Sequence, residues 1–259
     1  MKSTAQLTSL PDPAPEDTED PEDVGSVGEF DEATPITRRA TGRTRTGRAA
    51  GTAGTADTDT APPLLRAALH YAEDLRWEVA PGHHLVQQEF RAVCSCGHPA
   101  CPRPGAHPLS DAWLVEATTN PLRVRQLWVQ HPSASIMLPA GRGFDVIDVP
   151  ETAGLLAMAR LERQSVALGP VVSGPGRRFH FFVLPGVREK LPVLIRQLGW
   201  RPERLDLRCR GEGEYVLVPP SNAGLPEASA QWNREPSGDG QWLPDASSLL
   251  PALAYACGL

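Results

Sequence analysis

A mixed α+β fold, with a mixed or antiparallel sheet and flanking helices, is predicted by three observations. Short apolar runs stand beside stretches with helical spacing of their apolar residues. Two Gly-rich turn signals, Gly174-Pro175-Gly176 and Gly211-Glu212-Gly213, separate apolar runs as hairpin connections do. No internal repeat organises the 259 residues. Together these favour hairpins and helices packed in layers.

The elements follow in order. Residues 1–60 hold twelve acids against six Lys/Arg, with an acidic Pro-rich block near residues 11–32 and an Arg/Thr/Gly block near 38–48. Such composition buries too little apolar surface to offset chain entropy, so a disordered tail is expected, with a globular domain over 61–259. Pro62-Pro63 opens a helix whose apolar face is Leu64, Leu65, Ala68, Leu69, Ala72 and Leu75. A strand over 77–81 ends in a Pro-Gly turn, and His83-His84 after it are expected to be exposed. Thr119-Asn120-Pro121 starts a helix over 122–129. Strands are expected over 135–139, 143–150, 171–173, 179–184, 205–208 and 215–218. Helices are expected over 152–163, 191–198 and 246–257. Trp232 and Trp242 are expected to pack over the sheet, and Cys209 and Cys257 to act as small apolar residues.

Charge and cysteine usage narrow the classes. The formal net charge is -6, and the acidic tail accounts for it: beyond residue 60 there are nineteen acids and nineteen Lys/Arg. A polyanion would therefore need a local Arg patch rather than overall charge. Five cysteines, three of them clustered, do not make a disulfide framework. No signal-like segment and no apolar run of about 18 residues appears, so a soluble cytoplasmic protein without membrane contact is the default.

Two stretches hold the candidate chemistry. The first is Gly143-Phe144-Asp145-Val146-Ile147-Asp148-Val149-Pro150, a buried strand delivering Asp148 to its C-terminal tip. Acids at such tips are fixed by the sheet while the next loop leaves room for a ligand. Asp148 could equally cap the helix that follows. The second is Cys94-Ser95-Cys96-Gly97-His98-Pro99-Ala100-Cys101, then His107. Tetrahedral zinc takes four S/N ligands, and short Gly/Pro turns let neighbouring cysteines converge. The expected set is Cys94, Cys96, Cys101 and His107, with His98 competing, and the zinc is structural because protein fills all four positions.

In order, these stretches resemble the bifunctional DNA primase/polymerase domain, the prim-pol branch of the archaeo-eukaryotic primase superfamily. The likeness spans roughly residues 64–245. It rests on the opening Ala/Leu helix, the Cys/His knuckle over 94–107, Ala117-Thr118-Thr119-Asn120-Pro121, the Asp148 strand, Arg178-Phe179-His180-Phe181-Phe182, and Leu205-Asp206-Leu207-Arg208 with Pro219-Pro220-Ser221. The resemblance implies a primase-polymerase-like fold and template-directed nucleotidyl transfer in DNA replication or repair. It also implies two magnesium or manganese ions, about 4 Å apart, held by carboxylates. By position Asp148 matches the first acid of an Asp-x-Asp motif and Asp206 the acid of a third motif. Either Phe179 or His180 stands at the motif His, and a turn one residue longer favours His180. The second acid of Asp-x-Asp is Pro150, and Glu151 or Glu212 is the available replacement.

Three readings follow. One is a metal-dependent primase/polymerase acting on DNA or RNA templates and nucleoside triphosphates through Asp148, His180 and Asp206. Another is a degenerate module that binds nucleotide or single-stranded nucleic acid through Arg177, Arg178, Arg208 and Arg210. The third is a zinc-stabilised interaction scaffold. No P-loop is present, so unwinding would fall to a separate helicase.

Overall fold

The computed structural model describes residues 61–89, 91–222, 228–237 and 242–259, which belong to one compact unit. The expected tail lies outside the described residues. In chain order the elements are α1 (Pro63–Glu73), β1 (Ala80–Gly82), β2 (Leu85–Gln88), β3 (Arg91–Cys94), α2 (Trp113–Glu116), α3 (Pro121–Gln130), β4 (Ser135–Pro139) and β5 (Asp145–Pro150). Then come α4 (Glu151–Arg163), β6 (Val171–Gly174), β7 (Arg178–Val183), α5 (Leu191–Gln197), β8 (Arg208–Arg210), β9 (Tyr215–Val218), β10 (Gln231–Arg234) and α6 (Ala246–Cys257).

The pairings are antiparallel throughout. Five strands form one sheet in the order β10-β6-β7-β5-β8, three form another as β1-β4-β9, and β2-β3 is a separate hairpin. The alternation along β5 divides two cores. Val146 packs with Phe182, Trp77, Phe144 and the residues of α1, α3, β4 and β9. Ile147 and Val149, pointing the other way, pack with Phe179, Phe181 and the apolar faces of α4, α5 and α6. Gly154 lets α4 lie directly on β7: a Cβ there would stand 2.6 Å from Phe179.

Several expectations change. The acid-bearing strand near 205–208 starts later, at Arg208, so Asp206 sits in the loop ahead of it. β1 is shorter than the expected 77–81 strand and runs one residue further. The β2-β3 hairpin, α2 and β10 were not expected. β2 and β3 are largely exposed, and their apolar residues stand side by side, as Leu85-Val86 and Ala92-Val93, so they give no apolar alternation to read. His83 and His84 are half-buried, because the Ser95 hydroxyl bonds both His83 Nδ1 (2.8 Å) and His84 N–H (3.1 Å). Trp242 is 54 % exposed rather than packed over the sheet. Trp232 does pack, against Phe182 and Tyr71.

Candidate functional site

Register explains what gathers around Asp148. Directly opposite it stand His180 on β7 and Arg208 on β8. Arg178 and Arg210 are its diagonal neighbours, opposite Pro150 and Val146. Long side chains reach diagonally across a sheet face. Accordingly Arg178 Nε donates to Asp148 Oδ1 at 2.6 Å, and Arg210 donates through Nε (2.8 Å) and Nη2 (2.5 Å) to Oδ2. Arg178 Nη2 reaches the Asp148 carbonyl at 3.2 Å, and its Nη1 donates to Asp206. Arg210 Nη1 donates to the Tyr215 carbonyl at 3.3 Å. Both guanidiniums are thus spent on holding acids and backbone.

Asp148 is 3 % exposed. Burial works against its charged form, yet the Arg210 and Arg178 guanidiniums bonded to its two oxygens hold its carboxyl well below the usual carboxylate range. His180 is equally buried, and burial outweighs the pull of Asp148 to hold the imidazole below its ordinary value, hence neutral. Its Nε2 stands 3.4 Å from Asp148 Oδ2 without the geometry of a hydrogen bond, and neither ring nitrogen has a hydrogen-bond partner. Phe179, the other candidate for the His position, lies in the opposite core under Gly154.

Asp148 caps no helix; the N-cap of α4 is Pro150, which offers no side-chain bond. Asp206 is half-exposed and meets Arg178 and, at 3.7 Å, the exposed Arg208. Arg177 pairs with Glu151. The site therefore sets two acids against three arginines.

That arrangement does not fit a divalent ion. Both expected carboxylates face guanidiniums, the Pro150 side chain offers no ligand atom, and Glu151 is turned to Arg177. Arg178 and Arg210 likewise leave little free for a phosphate. Asp145, on the reverse face, accepts from the Val187 and Arg188 N–H groups and ties down the loop after β7. Burial pushes the nearby Cys209 thiol up to about 12 and the Cys257 thiol up to about 11, so both stay protonated.

The knuckle does fit a metal. Among the described residues, the group of His, Cys, Asp and Glu whose ligand atoms converge is Cys94, Cys96, Cys101 and His107, all within 4.8 Å of one another. Cys94 ends β3, and Gly97, at φ +75°, turns the chain back so that its N–H bonds the Cys94 carbonyl at 3.1 Å. Cys94 Sγ also accepts from Gly105 N–H at 3.3 Å. The His98 N–H and neighbouring thiols lower the Cys96 pKa, whereas burial raises that of Cys101. A Cys₃His set suits zinc, and His98, exposed and bonded by Ala100 N–H, stays outside it.

Between knuckle and sheet lie two adjoining hollows, of about 700 and about 330 Å³. Both are bordered by Pro102, Arg103, Arg210 and Tyr215. Sequence reasoning missed Arg103 and Tyr215; the available signal was an arginine inside the knuckle, between Cys101 and His107.

No helix among the described residues is long and apolar enough to cross a membrane. A family model described as bifunctional DNA primase/polymerase, N-terminal (Prim-Pol), matches residues 68–249, from within α1 into α6. No curated protein matches the chain.

Proposed function

Because residues 68–249 make this chain a member of the bifunctional DNA primase/polymerase family, we propose that it is a nucleotide- or single-strand-binding module of that family whose metal-dependent transfer has lapsed. One observation carries the lapse: Asp148, the position of the first catalytic acid, is buried between Arg178 and Arg210. In-line transfer to a 3′ hydroxyl depends on carboxylates that hold divalent ions. Here the first acid serves instead as the anchor of two guanidiniums, and Pro150 stands where the second would be. Losing one arginine leaves one oxygen of the buried carboxylate without its donor, so the pairing resists exchange for a metal. Zinc is proposed at Cys94, Cys96, Cys101 and His107, where it holds the loop over 95–106 against the sheet.

A second reading, an active primase/polymerase, is favoured by the meeting of Asp148, His180 and Asp206 around Arg178. A triphosphate drawing Arg178 and Arg210 away would free both acids for magnesium or manganese. Primer extension on a short DNA template, with magnesium and then manganese, separates the two. The expected result is no extension by folded, zinc-loaded protein that binds ATP or single-stranded DNA. Extension abolished by both Asp148→Ala and Asp206→Ala would establish the second reading and sink the first.

A further inference from the structure

We propose that the smaller hollow is a pocket for a nucleobase, and that Arg103, on the knuckle, holds the phosphates of the same nucleotide at its mouth. The proposal rests on the reading of the domain as a nucleotide binder and gives that reading a place and a residue.

Four features point to this ligand. The two hollows, of about 330 and about 700 Å³, each fall in the range of small-molecule sites. The smaller is walled by apolar side chains, Pro102, Pro104, Ala106, Pro175 and Leu217, which suit the faces of a flat ring. One of its polar walls is His180, fully buried, with a ring Nδ1 that has no partner. A buried polar side chain without a partner calls for one, and base edges carry hydrogen-bonding groups.

The fourth feature is charge. Arg178 and Arg210 are occupied by Asp148, Asp206 and the Tyr215 carbonyl. Arg103 is exposed, and among the described residues its guanidinium meets no carboxylate; it lies 5.4 Å over the Tyr215 ring. It borders both hollows, so it stands where a phosphate chain leaving a seated base would pass.

Tyr215 fixes that geometry from below. Its hydroxyl donates to the Ala106 carbonyl at 2.9 Å, its ring meets Trp113 edge-on at 5.3 Å, and its own carbonyl accepts from Arg210. The knuckle is therefore a wall of the site as well as a staple, and Arg103 is positioned by the same tyrosine that steadies Arg210.

The test is calorimetric titration of the full, zinc-loaded chain with ATP, inorganic tripolyphosphate and a short single-stranded DNA, beside Arg103→Ala and His180→Phe. Arg103→Ala alters an exposed side chain and keeps the test interpretable should His180→Phe fail to fold. ATP is expected to bind roughly tenfold tighter than tripolyphosphate, and Arg103→Ala to weaken ATP roughly tenfold, the loss of one charge-assisted contact. DNA binding weakened by Arg103→Ala, without ATP binding, supports the pocket and assigns it to a strand end. Equal binding of ATP and tripolyphosphate, with Arg103→Ala unchanged, overturns the pocket while leaving nucleotide binding in place. No binding of ATP or DNA by the unaltered chain removes both.

Discussion

At Asp148 a single carboxylate decides both stability and chemistry. Its neighbours were partly legible: Arg178, His180 and Arg208 follow from strand alternation once the register is known. The register itself was not, because it depends on whether the 174–177 turn holds one residue more or fewer. Removing Asp148 strands two guanidiniums, one 18 % and one 28 % exposed at the side chain. Asp148→Ala is therefore expected to cost roughly 3 kcal/mol in urea denaturation. Asp206→Ala, at a side chain 48 % exposed, should cost no more than about 1 kcal/mol.

His180 adds a pH dependence. Its folded pKa lies below the value in the unfolded chain, so below about pH 6.5 the unfolded state binds a proton that the native state refuses. Stability falls as pH drops from about 6.5 toward the folded pKa. Asp148 acts later: its stabilising charge is complete above about pH 4 and is lost as pH falls further toward its depressed pKa. Stability curves of His180→Gln and the unaltered chain should converge below pH 6. Parallel curves would mean that His180 is not held neutral.

Among the elements, the apolar runs were the readable ones. β4, β5, β7 and β9 are buried along nearly their whole length, and the helices α1, α3, α4, α5 and α6 were signalled by Pro, Asn or apolar spacing. Asn120 indeed caps α3, accepting from Leu122 and Arg123 N–H. The loop ahead of β8 misled because Leu205 and Leu207 are buried without belonging to a strand, so their alternation imitates one. The cysteine spacing was legible as a ligand set, but nothing in it shows that the loop also walls a hollow. The contact between α4 and β7 invites a direct check. Gly154→Val drives side-chain carbons into Phe179 and is expected to destabilise by about 1–3 kcal/mol, measured by thermal or urea unfolding. Gly176→Ala, where nothing stands within 4 Å, costs only the strain of its positive φ.

Across the whole described unit, the five-stranded sheet is shared by two cores. β5 sends Val146 to one and Ile147 and Val149 to the other, and β7 does the same with Phe182 and Phe181. Neither core can lose these strands and keep its floor. Unfolding followed by near-ultraviolet and far-ultraviolet circular dichroism should therefore coincide in one transition. Two separated midpoints would show that the cores melt independently.

Pro150 closes β5 and opens α4 at once, a junction where an aspartate would be welcome as a helix cap. By the family resemblance, the second acid of Asp-x-Asp would stand at this same position. Pro150→Asp would therefore give α4 the side-chain cap it lacks while Asp148 stays held by Arg178 and Arg210, so the change is expected to act on the helix before it acts on any chemistry.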